Sequence, residues 1–276
     1  MTDASPPHKR RVRYSGTHPR QFAEKYKELD PARHAEEVDK VMQRGQTPAG
    51  MHRSICVDEI LAILNPQPGE TGLDATLGFG GHTQTLVPRV LPGGHMFGMD
   101  VDPIELPRTT ARLRALGFDE AALSTHRRNF SEMASLLPQA GGGFDFVLAD
   151  LGVSSMQIDN PARGFSFRAD GPLDLRLDPT AGQSASELLQ SVTRQHLRDL
   201  LIDHSDEPFA IPLAAALQGQ YVETTTQLAE LVRAAMQGAL KASMPQEERL
   251  VETKKALQRT FQALRVLDNG QLAEWI

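Results

Sequence analysis

Short apolar runs alternate with longer stretches of helical periodicity over residues 52–150. The pattern predicts strands at residues 72–77, 95–99, 124–127 and 144–149, and helices at 52–64, 82–90 and 105–116. Strands that alternate with helices in this way are typical of a doubly wound α/β sheet. Ligands of such sheets bind outside the carboxyl ends of the strands, so the residues that end each run are the candidates for a site.

The character of the chain changes after Asp150. Residues 151–182 are rich in Gly, Ser, Asp and Arg and show no hydrophobic periodicity. A loop of this length in a compact domain indicates an ordered, functional segment. Residues 184–240 are helical throughout, residues 241–249 are polar and expected to be mobile, and residues 253–276 open helically. We therefore expect four regions: a basic N-terminal extension with a helix (1–50), a ligand-binding sheet domain (51–160), a helical insertion that recognises substrate (161–245) and a C-terminal helix that returns to the core (246–276).

A glycine cluster follows the first predicted strand. Gly78, Gly80 and Gly81 precede His82, and Asp100 ends the next apolar run 22 positions after Gly78. Glycines that let the backbone approach a ligand, with a carboxylate about 20 residues further on for ribose hydroxyls, are typical of a nucleotide-binding βαβ unit.

The ligand itself is less tightly specified by these residues. The loop lacks the third glycine of the dinucleotide motif, and no Walker-type lysine follows it. S-adenosylmethionine fits better: Asp100 would take its ribose, Phe130 its adenine, and the loop amides with Asp74 its amino-acid part. The residues alone leave a methyltransferase and other nucleotide-binding folds both open.

Composition narrows the setting. The chain has 276 residues, a formal charge of −6, 40% hydrophobic residues and a single cysteine, Cys56. It has no signal-peptide pattern, no apolar run long enough for a membrane span and no cluster with zinc spacing, so we expect a soluble cytosolic protein without a metal. Cys56 is expected to pack in an apolar helix. A basic cluster at residues 8–13 is either an arm for phosphates or a solvated tail.

Longer motifs resemble the bacterial 16S ribosomal RNA cytidine N4-methyltransferase family. They are Asp150–Asp159, Arg163–Phe167 and Asp170–Asp178, joined in the same order by Asp74–His82, Asn129–Ser131 and Arg259–Arg265. The resemblance runs from about residue 52 to residue 265, and the Arg-Tyr-Ser-Gly-Thr-His-Pro segment at residues 13–19 resembles an extended branch of the family. It implies a class I (Rossmann-like) methyltransferase sheet with a helical insertion, S-adenosylmethionine as cofactor, and 16S rRNA of the small ribosomal subunit as partner.

The resemblance also implies roles for individual residues. It assigns Gly80, Gly81, His82, Asp100, Phe130, Asp150 and Gln157 to the cofactor site, and the residues themselves add Asp74 and Gly78. Methyl transfer to an exocyclic amine is helped by acceptors for the amine hydrogens, which Asp150 or a carbonyl among residues 151–154 would supply. The candidate catalytic residues are accordingly Asp150, Ser154 and Ser155.

Substrate contacts are expected from the aperiodic loop. The candidates are Arg163, Phe165, Asp174 and Arg176, with the alternative that Asp174, Arg176 and Asp178 form an ion-pair network that fixes the loop. Lys254, Lys255 and Arg259 are either a solvated helix face or an extension of an RNA surface that begins at Arg10, Arg11 and Arg13.

The chain departs from the family pattern in two places. Residues His204–Pro208 stand where the family has Gly-Glu-Glu-Arg, and the chain ends before the family's further strands, which predicts a shortened sheet with an exposed edge. Two other functions therefore remain open: a non-catalytic RNA-binding relative that keeps the cofactor pocket, and a small-molecule methyltransferase. The basic arm and the long loop count against the second.

Overall fold

The structure, a computed structural model, describes residues 54–268. Several predictions lie outside the described residues: the basic cluster with Arg10, Arg11 and Arg13, the helix of the N-terminal extension (1–50) and everything after residue 268.

A parallel four-stranded sheet forms the first half of the described chain. Its strands are β1 (Thr71–Asp74), β2 (His95–Asp100), β3 (Leu123–Arg127) and β4 (Phe146–Leu148), in the order β3-β2-β1-β4. In the centre of the register Leu73 lies opposite Phe97 on β2 and Val147 on β4. The expected class I, Rossmann-like α/β fold is confirmed.

The central strand β1 is shorter than the prediction of residues 72–77. It ends at Asp74, and the chain then turns, with the Ala75 amide donating to Leu148 O and the Leu77 amide to Met99 O. Asp74 is therefore the last residue of its strand and not an interior one. Gly72 is required earlier in β1, because a Cβ there would lie 2.2 Å from Phe146 Cζ.

Helices connect the strands: α1 (Val57–Leu64), α2 (Gly81–Val90), α3 (Glu105–Ala115) and a 3₁₀ helix at Phe130–Leu136. Successive residues of β2 point to opposite faces, so Met96 packs against α2 and α3 residues while Phe97 packs with Phe130. Both faces of the sheet thus carry a hydrophobic core.

Helix α1 packs less completely than its periodicity predicts. Leu61 and Leu64 contact the sheet core, but Ile55 and Ile63 are 68% and 81% exposed. Cys56 is exposed at the N-cap of α1, in the left-handed region, so the prediction that it packs in an apolar helix was wrong.

The loop after β4 contains two short helices, α4 (Ser155–Asp159) and a 3₁₀ turn at Pro161–Arg163. Beyond it five helices follow: α5 (Ala185–Ser191), α6 (Arg194–Ser205), α7 (Ala210–Leu217), α8 (Thr225–Ala239) and α9 (Gln246–Asp268). The side chains of Ser184, Thr193 and Thr224 accept backbone hydrogen bonds at the starts of α5, α6 and α8, which explains where these helices begin.

These helices share one core, separate from the two sheet cores. Its members include Leu189, Leu201, Leu213 and Val232, and α9 adds Ala256, Leu257, Phe261 and Leu264. Helix α9 begins at Gln246, so the prediction that residues 241–249 form a mobile segment was wrong for its last four residues. The boundaries predicted for the four regions remain a prediction.

The edge strand β4 pairs only with β1 among the described strands. None of the helices between residues 54 and 268 is long and apolar enough to cross a membrane.

Candidate functional site

The predicted cofactor residues meet at the carboxyl ends of the strands. Asp74 ends β1, Asp100 ends β2, Asp150 follows β4, and the glycine loop joins β1 to α2. Parallel strands place their carboxyl ends along one edge of the sheet, so residues up to 76 positions apart in sequence share one site.

The glycine loop depends on backbone conformations that favour glycine. Gly78 and Gly80 have φ angles of +48° and +76°, and Gly80 caps α2. A Cβ at Gly80 would lie 3.0 Å from Leu113 and Thr109, and a Cβ at Gly81 would lie 2.2 Å from Ser54 Oγ. The loop therefore packs closely against α3, and two of its amides are used within the protein: that of Gly78 donates to Asp100 Oδ2 (2.7 Å) and that of Gly80 to Leu77 O (2.6 Å).

Asp100 fixes this loop to β2. Its Oδ2 accepts a hydrogen bond from the Gly78 amide (2.7 Å), and its Oδ1 accepts one from the Asp102 amide (2.9 Å). Burial raises the pKa of the Asp100 carboxyl, against the lowering effect of these two bonds. The Val101 amide also donates to this carboxyl, so three of its four acceptor positions are used by the backbone and the fourth is left for the ribose hydroxyls that the sequence assigns to it.

Asp74 is almost fully buried, at 2% exposure. Its Oδ2 accepts from Thr83 Oγ1 (2.7 Å) and its Oδ1 from the Thr76 amide (3.2 Å). Burial raises the pKa of Asp74 to about 6, although both hydrogen bonds and the nearby His82 lower it. A cation placed beside this carboxyl would favour its ionised form.

His82 is the least satisfied side chain of the site. It is 7% exposed, and neither ring nitrogen has a hydrogen-bond partner within the described structure. Its Nε2 lies 3.7 Å from Asp150 Oδ2, which is beyond hydrogen-bond length, and the Asp150 side chain is 51% exposed. Buried polar atoms without partners are rare, so polar groups from a bound molecule are the natural partners of His82.

Phe130 follows β3 and begins the 3₁₀ helix, where Asn129 and Glu132 form a capping box. The ring is 7% exposed and packs with Leu73, Phe97 and Leu136. Most of its surface therefore belongs to the core, and only a small part lies open to an adenine.

Gln157 and Ser154 form a second capping box at the start of α4. Ser154 Oγ accepts from the Gln157 amide (3.2 Å), and Gln157 Oε1 accepts from the Ser154 amide (2.8 Å). Ser155 is the first residue of α4, and its side chain lies outside the described atoms. The Asp150 amide donates to Thr76 Oγ1 (2.7 Å), which ties the start of this segment to β1.

The four predicted substrate residues are held by contacts within the protein. Arg163 and Phe165 are 8% and 7% exposed. Asp174 and Arg176 form a two-fold ion pair, with Arg176 Nε to Oδ1 and Nη2 to Oδ2 both at 2.7 Å. The pair is one part of the ion-pair network of Asp174, Arg176 and Asp178 that the sequence left as an alternative, but Asp178 pairs with Arg127 and not with Arg176. RNA contacts by Asp174 and Arg176 remain a prediction.

Sequence reasoning gave no role to three residues that the structure places at the site. Asp102 is fully buried and binds Arg163 and Gln157, Arg127 at the end of β3 binds Asp178 (2.6 Å), and Thr83 binds Asp74. Asp102 had a visible signal, since an aspartate just before a helix is a common N-cap. Arg127 has none, because its partner lies 51 residues away, and the contact of Thr83 with Asp74, nine residues away, depends on how the glycine loop folds back.

No group of three or more His, Cys, Asp or Glu side chains among residues 54–268 is arranged to hold a metal ion. On α9, Lys254 and Lys255 are exposed, whereas Arg259 Nη1 lies 4.0 Å from the buried Glu207.

Comparison with known proteins identifies the family of the chain. The model of the MraW methylase family matches residues 49–275. Ribosomal RNA small subunit methyltransferase H 1 of Lachnoclostridium phytofermentans is 49% identical over 271 residues, which cover 96% of this chain and 72% of that protein. The H 2 protein of Alkaliphilus metalliredigens is 50% identical over 267 residues, covering 95% of this chain and 75% of that protein.

The methyltransferase class inferred from the sequence is confirmed by these matches, which extend over the glycine loop, the Asp150 segment and the helical cluster. The chain belongs to the MraW methylase family.

Proposed function

We propose that this protein transfers a methyl group from S-adenosylmethionine to N4 of a cytidine in 16S ribosomal RNA, with the small ribosomal subunit as its partner. The observation that carries the proposal is His82, a buried side chain whose two ring nitrogens have no hydrogen-bond partner in the described part of the chain, beside a close-packed glycine loop and the buried carboxyl of Asp74. The names of the relatives, ribosomal RNA small subunit methyltransferase H, support the class of substrate.

The chain offers a partner for each part of the cofactor. Asp74 is placed to pair with an ammonium, and His82 with the amide of Gly81 is placed to hold a carboxylate. Asp100 would accept hydrogen bonds from ribose hydroxyls, and the open edge of Phe130 would contact the adenine. The donor set thus matches a ligand that carries an ammonium, a carboxylate and a ribose together.

The bound cofactor supplies a methyl group on a positively charged sulfur. The protein's own part is to align the target amine and to accept its hydrogens, since alignment of two reactants accounts for much of the rate of such a transfer. Asp150 is half-exposed at the end of β4 and its amide is fixed by Thr76, so its carboxylate is available to an incoming amine. The carbonyls of residues 151–154 are the second source of acceptors.

The loop residues take different parts in this proposal. Ser154 and Gln157 fix the backbone beside Asp150 through their capping box, and Gln157 completes the wall of the cofactor site. Arg163 and Phe165 are buried, so we assign them to support of the loop and not to direct contact with the base. Asp174 and Arg176 are partly exposed and remain candidates for RNA contact through their outer edges.

The direct experiment is transfer of tritiated methyl groups to 30S subunits that lack the modification, followed by mass spectrometry of the nucleosides. We expect label in N4-methylcytidine. Label in another nucleoside would refute the cytidine target, and binding of cofactor without transfer would favour a non-catalytic RNA-binding protein. Equal transfer to free cytidine would favour a small-molecule methyltransferase.

Cofactor binding is tested separately by calorimetry with Asp100→Ala. The variant is expected to lose detectable affinity for S-adenosylmethionine, because it removes the ribose acceptor and frees the Gly78 amide. Asp119→Ala is the matched control, since Asp119 Oδ1 also accepts a backbone amide, that of Ala122, in the turn before β3. Unchanged affinity in Asp100→Ala would remove Asp100 from the site.

A further inference from the structure

We propose that Asp102 is a positioning residue for methyl transfer. Its carboxylate holds two segments of the loop at residues 151–178, the first at Gln157 and the second at Leu177, against the carboxyl edge of the sheet. This inference rests on the proposed function, because the segment that it positions contains the acceptors assigned to the target amine.

Hydrogen bonds with neighbouring residues hold Asp102 in place independently of the loop. Its side chain is fully buried just after β2. Its Oδ1 accepts hydrogen bonds from the amides of Ile104 (2.9 Å) and Glu105 (3.1 Å) at the start of α3. Its main-chain amide donates to Asp100 Oδ1 at 2.9 Å, so the backbone at Asp102 is tied to the Asp100 carboxyl.

The first segment of the loop binds to Oδ2 of Asp102 through Gln157. Gln157 Nε2 donates to Asp102 Oδ2 (2.9 Å), and Gln157 Oε1 accepts from the Ser154 amide (2.8 Å). One chain of hydrogen bonds therefore runs from Asp102 through a single side chain to the backbone of residues 150–154.

The second segment of the loop binds to the same oxygen, Asp102 Oδ2, through Arg163. Arg163 Nη1 donates to Asp102 Oδ2 (2.8 Å), and Nη2 donates to Leu177 O (2.9 Å). The paired side chains are 8% and 1% exposed, so water does not screen the ion pair. Arg163 thus joins Asp102 to the stretch that carries Asp174 and Arg176.

The acceptor count separates Asp102 from Asp100. Each oxygen of Asp102 accepts two hydrogen bonds from the protein, which fills the lone pairs of the carboxylate. Asp100 accepts from the backbone amides of Gly78, Asp102 and Val101, three bonds against the four acceptor positions of a carboxylate. Asp102 therefore acts on the reaction through Gln157 and Arg163, while Asp100 is the one of the two that is placed to bind a ligand.

The test is Asp102→Asn in the full chain, with Asp119→Asn as control. The asparagine keeps the oxygen that caps α3 and turns an amide donor towards the donors of Gln157 and Arg163. In hydrogen exchange of the ligand-free proteins, we expect amides at 151–178 to exchange about tenfold faster or more, with the sheet and the helical cluster unchanged. With cofactor and 30S subunits, kcat is expected to fall by about tenfold or more while cofactor affinity is retained.

Asp102→Asn leaves the buried Arg163 without its counter-ion, which destabilises the folded protein. A second variant that keeps this ion pair separates the effect on the loop from an effect on folding. Gln157→Ala changes no charge and detaches only the first segment of the loop from Asp102. Faster amide exchange is therefore expected at residues 151–159 and not at 173–178. Unchanged loop exchange in both variants, or an equal increase throughout the protein, would overturn the proposal. These exchange readouts need neither cofactor nor RNA, whereas failure of the proposed function appears as absence of methyl transfer by the unaltered protein.

Discussion

At the scale of single residues, the site combines buried acids with glycines that bring the backbone close. Asp74 and Asp100 both have raised pKa values because burial disfavours their charged forms. Such shifts occur often at functional sites, where a ligand of opposite charge later offsets the cost of burial. For Asp74 the expected ligand group is an ammonium, and this assignment has a measurable consequence.

The affinity for S-adenosylmethionine is expected to depend on pH through Asp74. Its pKa of about 6 in the free protein means that the carboxyl must lose a proton to pair with an ammonium below that pH. Affinity should therefore fall by about tenfold as the pH is lowered from 7 to 5, and stay level above pH 7. Calorimetry across this range measures it.

The comparison for this prediction is Asp74→Asn, which should bind more weakly at neutral pH and lose this pH dependence. Asp145→Asn is the control, since Asp145 accepts the Thr71 amide (2.7 Å) at the opposite end of β1. An Asp74→Asn variant with the same pH profile as the unaltered protein would disprove the role of Asp74.

At the scale of elements, the loop between β4 and α5 is built by contacts with the strand ends and by tight turns of its own. Arg127 at the end of β3 binds Asp178 and Thr180, and Arg163 connects to Asp102 beyond β2. Leu175 is fully buried with φ at +65°, a conformation that costs free energy for a residue with a side chain. The surrounding contacts therefore impose the course of the loop.

Two glycines of this loop allow a matched comparison. Gly164 and Gly182 have nearly equal φ angles, +70° and +68°. A Cβ at Gly164 would lie 2.0 Å from the backbone oxygen of Pro172, whereas a Cβ at Gly182 would meet nothing within 4 Å. The two positions differ in packing and not in backbone conformation.

Gly182→Ala is accordingly expected to lower the free energy of unfolding by about 1 kcal/mol, the cost of the left-handed conformation. Gly164→Ala should lower it by about 3 kcal/mol or more, because the backbone at Pro172 must also move. Urea denaturation measures both changes. Equal effects would show that the contact between Gly164 and Pro172 is not a tight one.

At the scale of the whole molecule, α9 joins the helical cluster through both packing and charge. Glu207 is 2% exposed after α6, its Oε1 accepts the Phe209 amide (2.8 Å), and its Oε2 has no hydrogen-bond partner in the described part of the chain. Burial raises the pKa of Glu207, and Arg259 on α9, 4.0 Å away, lowers it in part. Glu207 lies within the segment that departs from the family pattern, residues 204–208, whereas Arg259 begins the motif Arg259–Arg265 that resembles the family.

Because its folded-state pKa is raised, Glu207 favours the folded state most at low pH, and that contribution is lost as the pH rises through the folded-state pKa. Arg259→Met removes the compensating cation and should lower the free energy of unfolding by about 1–2 kcal/mol at pH 7, and by less at pH 5. Urea denaturation at the two pH values checks this.

The double variant Glu207→Gln with Arg259→Met should recover most of that loss, since the buried charge is then gone. Lys254→Met, at an exposed position of the same helix, is the control and should change stability by less than about 0.5 kcal/mol. Additive effects in the double variant would mean that the two side chains do not interact.

The sequence by itself determined the sheet, most of the helices, the carboxyl edge as the place of the site and the motifs of the methylase family. These are local properties: hydrophobic periodicity, glycines after a strand and acids at strand ends are readable without knowledge of distant neighbours. Only the tertiary structure decided that Arg163 turns inward to Asp102, 61 residues away, and that Phe130 lies mostly in the core. It also showed that His82 is buried without a partner. Such facts depend on contacts between segments that are distant in sequence. Hydrophobic periodicity and local motifs do not specify those contacts, and the burial of a side chain follows from them.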